Sequence, residues 1–420
     1  MRRRDFLKRT VTMTGGIAAG YVLNLTGCVE SSPCDESVLP DGEFPDDSPL
    51  RAGDVLLGLY ASSDITRPED AVRHSLARVD FDWLTPGDTV FVKLSSNSGR
   101  VHPAVTSPAA VTGLCAELFE RGAGRVIVGD QAGVESVRLV EGETRFGSTQ
   151  ALMEGNGLYE AITAAGAEPH FFDDQSYASG YFEATLPVGH HWKEPLMLAR
   201  IIEQVDHIVY LPRLSSHSLA GYAHGLKTAV GWLRDDSRYH MHNDAASLHE
   251  KYVEVSYTAE IASRLRLVLT FAEQLMLHQG PDTGTIAFAD PRIVVASDNI
   301  ANHDALSAAL LRQFDTTTRA PISVSNYGDG RRADARNEFF VTTHVENATG
   351  IPWGQGGEGY TRLQGHRYWE GISADHGLSR AYELEGGIPN TIQVRRDGAP
   401  LHRDLICALS TANGGIFNFQ

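Results

Sequence analysis

Three short apolar runs constrain this chain more than any other feature. Thr89-Val90-Phe91-Val92-Lys93-Leu94, Arg125-Val126-Ile127-Val128-Gly129-Asp130 and His207-Ile208-Val209-Tyr210-Leu211 are apolar on successive residues, not on alternate ones. A strand written this way buries both faces, as parallel strands do when helices cover the sheet on either side. Between the first two, Ser107-Pro108 opens a helix that runs to Arg121 and stops at Gly122, with Ser as N-cap and Pro at the first helical position. Strand, helix and strand in this order form a βαβ unit. An earlier helix is predicted from Pro68 to Val79, with Ala71, Val72, Leu76 and Val79 on one face. Further helices are predicted at Leu158–Ala165, over Gly221–Trp232 and after Asn299. Further strands are predicted at Pro169–Phe172, Leu267–Phe271 and Ile293–Ala296.

The fold class that follows is α/β: three layers, with a mostly parallel sheet flanked by helices. After about Leu311 the chain turns Gly-, Arg- and Asn-rich. Residues 313–420 therefore read as an irregular C-terminal extension packed on an α/β domain of residues 51–312.

The first residues carry a different signal. Arg2-Arg3-Arg4-Asp5-Phe6-Leu7-Lys8 resembles a twin-arginine export signal, and Leu25-Thr26-Gly27-Cys28 has the pattern of a bacterial lipobox. The stretch between them, Thr10 to Asn24, is diluted by Gly15, Gly16 and Gly20 and is too short for a membrane span. Residues 1–27 are expected to be removed after passage through the twin-arginine machinery, with a lipid on Cys28. Residues 28–50, acidic and Pro-rich, form a tether. The expected location is the periplasmic face of a bacterial membrane, the outer one favoured by Val29 after the cysteine. A net charge of −17 argues against nucleic acid and against attachment to anionic lipid, so the lipid anchor would be the only tie to the membrane. Of the four cysteines, Cys115 and Cys407 lie in apolar runs and are candidates to pair in an oxidising compartment.

Polar residues that follow strands draw attention, because open α/β sheets bind ligands outside the carboxyl ends of their strands. Lys93 is followed by Ser95, Ser96 and Asn97, and Asp130 holds the same place on the next strand. Both are candidate substrate-binding residues, as are Asp298 and Asp304. Pro212-Arg213-Leu214-Ser215-Ser216-His217 leaves the third strand, and the helix beyond carries His224 and Lys227 on one face. His217, Lys227 and His240 are candidate catalytic residues for proton transfer, since a desolvated lysine and a histidine titrate near neutrality. His240, His242 and His249 are the competing candidate ligands of a divalent transition metal, such as zinc, copper or nickel. That reading needs His240 and His242 in an extended segment, where alternate side chains point the same way.

Taken in order, Val90–Lys93, the Ser/Pro-capped helix, Val126–Asp130, Leu211–His217, Leu226-Lys227-Thr228-Ala229-Val230-Gly231, Gly280-Pro281-Asp282-Thr283-Gly284 and Ser297-Asp298 resemble the Domain of Unknown Function 362 family. The resemblance runs over about residues 85 to 312. The chain departs from the family pattern in Leu94-Ser95 after Lys93, in Ser215 two residues before His217, in Thr228 after Lys227, and in lacking a cysteine-rich module. The resemblance implies site roles for Lys93, Asp130, His217, Lys227, Asp298 and Asp304. The strand order is also loosely similar to the N-terminal domain of nickel-pincer lactate racemase, as a likeness of fold. The function expected is an exported, lipid-anchored enzyme acting on a small anionic molecule by Lys/His acid–base or metal-assisted chemistry. The alternative is a lipoprotein that binds a ligand or partner without turnover.

Overall fold

The computed structural model describes residues 21–24, 50–317 and 371–420, with 218, 244, 278, 279, 402 and 413 excepted. The twin-arginine and lipobox motifs with Cys28, the tether up to residue 49, and residues 318–370 lie outside the described residues.

Ten strands form the main sheet: β1 (Tyr21–Asn24), β2 (Val55–Tyr60), β3 (Thr89–Leu94), β4 (Arg125–Asp130), β5 (Glu168–Phe171), β6 (His207–Leu211), β7 (Leu265–Leu277), β8 (Thr285–Ser297), β9 (Ile392–Gly398) and β10 (Phe417–Phe419). Across the sheet they lie in the order β10-β9-β2-β8-β7-β6-β3-β4-β5, with β1 beside β8. Every pair along this order is parallel except the two in which β8 meets β7 and β2. The sheet is mostly parallel, as the apolar runs predict. The two strands expected at Leu267–Phe271 and Ile293–Ala296 are parts of 13-residue strands, joined as one long antiparallel pair. Tyr21–Asn24, in the stretch assigned to the export signal, pairs in parallel with Ala287–Asp290.

The helices that matter here are α1 (Pro68–Leu76), α2 (Pro108–Glu120), α3 (Thr149–Asn156), α4 (Leu158–Ala164), α5 (Gly225–Thr228), α6 (Asp235–Asn243), α7 (Leu248–Ser256), α8 (Ile300–Thr317), α9 (His376–Leu384) and α10 (Arg403–Ala412). Helix α2 starts at Pro108 as expected. Ser107 sits at its N-cap position, yet its hydroxyl makes no capping bond and points to Glu273 Oε1, 3.5 Å away. The fixed φ of proline is the start signal that acts.

Side chains alternate across the strands and build two cores. Val90, Val92 and Leu94 of β3 join Val72, Leu114, Leu118 and Ile162 on the face under α1, α2 and α4. Phe91 joins Leu226, Trp232, Val253 and Leu306 on the opposite face, under α5, α7 and α8. Lys93 shares the parity of Phe91 and therefore enters this second layer.

The C-terminal residues correct the expectation of an irregular extension. β9 pairs with β2 over Val394–Gly398 and β10 extends the sheet further. Leu378, Ala381 and Tyr382 of α9 belong to the second core. The reason is an edge: all six residues of β2 are buried, and β8 pairs it on one side only. A buried strand needs a partner on its other side too. The Cys115–Cys407 disulfide, left open by the sequence, does not form: Cys115 is a free, buried thiol, whereas Cys407 is disulfide-bonded. Among the described residues no helix is long and apolar enough to cross a membrane.

A chain shortened to end at residue 370 is expected to lose cooperative urea unfolding and to aggregate, because β2 becomes a bare edge. Size-exclusion chromatography that finds a monomer with unchanged unfolding would show that β9 and β10 are dispensable.

Candidate active site

After β3, the chain adds β4 and β5 to one side of the sheet and then returns to place β6 on the other side of β3. The carboxyl ends of β3 and β6 therefore flank the point where strand order reverses, the place where open α/β sheets leave a crevice. A cleft of about 120 Å³ lies there. Ser95, Ser96 and Asn97 line it from the end of β3, Asp130 from β4, Arg213 from beyond β6, and Lys227 from α5. His217, Arg238, His242 and Pro281 complete its wall.

The floor is built from a buried ion pair. Lys93 Nζ donates to Asp130 Oδ1 at 2.5 Å, to the carbonyl of Leu94 at 2.8 Å and to the carbonyl of Thr228 at 3.0 Å. Asp130 accepts in addition from the backbone N–H of Ser96 at 2.7 Å and of Gln131 at 2.8 Å. All three N–H donors of the ammonium are used inside the protein. Lys93 is therefore a structural tie and not the anion-holding residue expected, and Asp130 is its partner. Gly231 packs on this pair so closely that a β-carbon there would stand 2.0 Å from Asp130 Oδ1.

Lys227 is the opposite case. Among the described residues its nitrogen has no hydrogen-bond or ion-pair partner, and it faces the cleft. Burial, helped by the charges of Arg238, Arg213 and Lys93, lowers its pKa to about 7. The single turn that carries it is held from below by Asp304, whose carboxylate accepts from the N–H groups of Gly225 and Leu226, both at 2.8 Å. Asp304 Oδ1 lies 2.7 Å from His303 Nδ1, and His303 Nε2 lies 3.0 Å from Thr270 Oγ1. Asp304 is thus a positioning residue and not a ligand of substrate. His224, expected on the face of Lys227, is the N-cap of α5 and is buried against Tyr222, ring centroids 4.6 Å apart. Asp298 is exposed, accepts from the Gly53 N–H at 2.8 Å and does not line the cleft.

Arg213 was visible in the sequence only as part of a motif. Its guanidinium is buried, and its Nε and Nη1 find no hydrogen-bond partner. Burial pushes its pKa down to about 10, against the through-space pull of Asp282 and Asp130. The Ser96 hydroxyl, on the lining of the same cleft, is likewise buried without a partner. The signal that could have found Arg213 is its place two residues past the carboxyl end of β6.

The two cleft histidines are neutral. His217 Nδ1 accepts from the N–H groups of Leu219 and Ala220 at 3.1 and 3.2 Å, so its ring proton sits on Nε2. Burial, and then Lys227, hold its pKa well below the usual histidine value. His242 Nδ1 donates to the Arg238 carbonyl at 2.8 Å, which leaves the lone pair on Nε2. Burial lowers the His242 pKa to about 3. Neither ring titrates near neutrality.

The expected metal set does not assemble. His240 and His242 lie on helix α6, not on an extended segment, so their side chains diverge by two helical positions. His240 is exposed and off the cleft, and His249 is buried on α7 with its ring 5.8 Å from that of His376. Among the described residues no three His, Cys, Asp or Glu side chains converge as metal ligands. His240 is also removed from the catalytic set.

A half-buried lysine with a lowered pKa makes stability depend on pH in a known direction. Unfolded, Lys227 titrates near its ordinary value; folded, near 7. Between those limits the unfolded chain binds the extra proton, so the burden of charging Lys227 is full below about 7 and fades as pH rises. Lys227→Met is therefore expected to stabilise the unliganded protein most in mildly acidic buffer, the gain shrinking toward alkaline pH. Urea unfolding across pH checks this; a gain independent of pH would show that Lys227 is not the titrating group.

The model of the family described as "Domain of unknown function (DUF362)" matches residues 90–309. No curated protein matches the chain. Among solved structures, a Thermotoga maritima protein from a structural-genomics consortium is 13% identical at a TM-score of 0.34, over 54% of this chain and 55% of that one. This chain thus spans little more than half the length of that protein. The lactate racemase apoprotein from Thermoanaerobacterium thermosaccharolyticum is 10% identical at a TM-score of 0.38, over 90% of this chain and 89% of that one. Scores this low say nothing of chemistry, and the α/β assignment stands on the sheet itself. The family match covers just over half of the chain and includes every strand and loop that builds the cleft, from Lys93 to Asp304: this chain belongs to the DUF362 family.

Proposed function

We propose that this chain is an exported, lipid-anchored enzyme that binds a small anionic molecule between Arg213 and Lys227 and moves a proton with Lys227. The observation that carries this reading is a pair of cationic side chains left without partners in one cleft at the switch point of the sheet. A buried guanidinium with idle donors costs the folded chain free energy, and an anion that supplies the acceptors removes that cost. Arg213 offers unmatched, charged N–H donors to a carboxylate or a phosphate. A cleft of about 120 Å³ admits only a molecule of a few heavy atoms. Lys227, poised at about 7, can give or take a proton at physiological pH.

Calorimetric titration of the full chain with small carboxylates and with inorganic phosphate is expected to find saturable binding at one site. Arg213→Gln should weaken it by about 10- to 100-fold, the scale of losing hydrogen bonds from a charged donor. Affinity should fall as pH rises past about 7 and the Lys227 ammonium is lost. Binding untouched by Arg213→Gln would remove the basis of the reading.

Export and lipidation rest on Arg3-Arg4-x-Phe6-Leu7-Lys8 and on the lipobox ending at Cys28. The disulfide at Cys407 supports an oxidising compartment. In cells that export the protein, Arg3→Lys/Arg4→Lys is expected to leave it in the cytoplasm, and Cys28→Ser to shift it from the membrane to the soluble fraction. Fractionation that shows neither change would overturn this part alone.

A further inference from the structure

An amine that is neutral near physiological pH is a nucleophile as well as a base, and Lys227 meets the structural conditions for that role. Its nitrogen faces the cleft without a hydrogen bond or ion pair among the described residues, whereas Lys93, the nearest other amine, has all three donors engaged. Three cations surround it, Arg238, Arg213 and Lys93, and with burial they favour its uncharged form. A ligand held beside it by the idle Nε and Nη1 of Arg213 would carry an acidic group at one end and leave its other end to the amine. The buried, unpartnered Ser96 hydroxyl is a donor on the same wall, suited to an oxygen that gains negative charge.

Resting on the small-anion reading above, we infer that Lys227 condenses with the carbonyl of a small oxo acid whose carboxylate is held by Arg213, forming an imine. The lone pair on Nζ makes the new C–N bond while the carbonyl π pair moves onto oxygen, where the Ser96 hydroxyl receives it. One N–H proton passes to that oxygen through water, giving a carbinolamine. The nitrogen pair then forms the C=N bond as the C–O bond breaks, and the departing hydroxide takes a proton from solvent and leaves as water. Amine, carbonyl and one proton become iminium and water, and nothing is oxidised or reduced. The iminium draws electrons from the adjacent carbon and makes a proton there removable. That places the substrate among oxo acids able to lose a proton or a group next to the carbonyl.

The test is reductive trapping. The full chain is incubated with pyruvate as the probe, treated with sodium borohydride, and analysed by intact mass and peptide mapping. One reduced adduct per chain, located on Lys227, is expected. It should be absent in Lys227→Arg, which keeps a cation at the site, and absent with lactate, which has no carbonyl to condense. The yield should rise as pH is raised through about 7. At limiting pyruvate, Arg213→Gln should lower it about tenfold or more. Pyruvate that binds by calorimetry yet leaves no adduct, or an adduct that persists in Lys227→Arg, overturns the imine and leaves the small-anion reading standing. Absence of both binding and adduct for pyruvate, with no other small anion bound, overturns the two together.

Discussion

The pair of Lys93 with Asp130 is the interaction on which the rest of the site depends. It is nearly sealed from solvent, with side chains 1% and 5% exposed. Breaking such a pair by removing one partner costs about 3–5 kcal/mol, because the remaining charge stays buried without compensation. It also joins three pieces of chain. Lys93 ties the end of β3 to the last carbonyl of α5 at Thr228, and Asp130 ties the end of β4 to the backbone of Ser96. Gly231 closes over both, and only a residue without a β-carbon fits there. The floor of the cleft is thus one electrostatic knot, and its geometry sets where Lys227 and Ser96 stand.

The single turn of α5 illustrates why this matters. Four residues make no stable helix by themselves, since the first turn fixes several dihedrals for one hydrogen bond. The turn persists because it is held at both ends. Asp304 accepts the N–H groups at its start, where the helix dipole also favours a carboxylate, and Lys93 binds the carbonyl at its finish. Gly225 lets the Asp304 carboxylate approach, since a β-carbon there would lie 2.9 Å from its Oδ1. Lys227 therefore projects from a strut fixed by residues far away in sequence, and its side chain enters the cleft while Asp304 and Lys93 hold the turn beneath it.

The three strands that anchor the sheet were legible because burial on both faces leaves a mark in every residue. The place of the site was legible too, from polar residues at strand ends. Roles were harder to read. Lys93 and Lys227 are both lysines in one motif set, and sequence gives no means of telling which has its donors filled. That depends on the Thr228 carbonyl, 135 residues along the chain. The histidines of Arg238-Tyr239-His240-Met241-His242 were misread because two alternating polar residues look alike in a strand and a loop. The helix there is fixed by Asp235 and Arg238, which bind the chain after β4 through Gln131, Leu139 and the Ala132 carbonyl. The C-terminal strands escaped notice because β9 is partly charged, Arg395-Arg396-Asp397, and only pairing with β2 makes it a strand.

Two buried arginines in the same wall differ in how fully their donors are matched. Arg238 has its Nε on the Leu233 carbonyl, its Nη1 on that of Ala132, and its Nη2 on those of Gln131 and Gly231. Asp235 stands 3.9 Å away as a counter-charge. Its donors are matched, and its removal would unmake a loop. Arg213, equally buried, keeps Nε and Nη1 unmatched. A chain that carries a net charge of −17 has no shortage of carboxylates with which to neutralise it. Among the described residues none is placed on the Arg213 Nε or Nη1, and Asp282 is engaged with Asn97 and Ser98 instead, so those donors stay open at the switch point of the sheet. Under the proposed reading, an incoming anion supplies the acceptors that Arg238 already has.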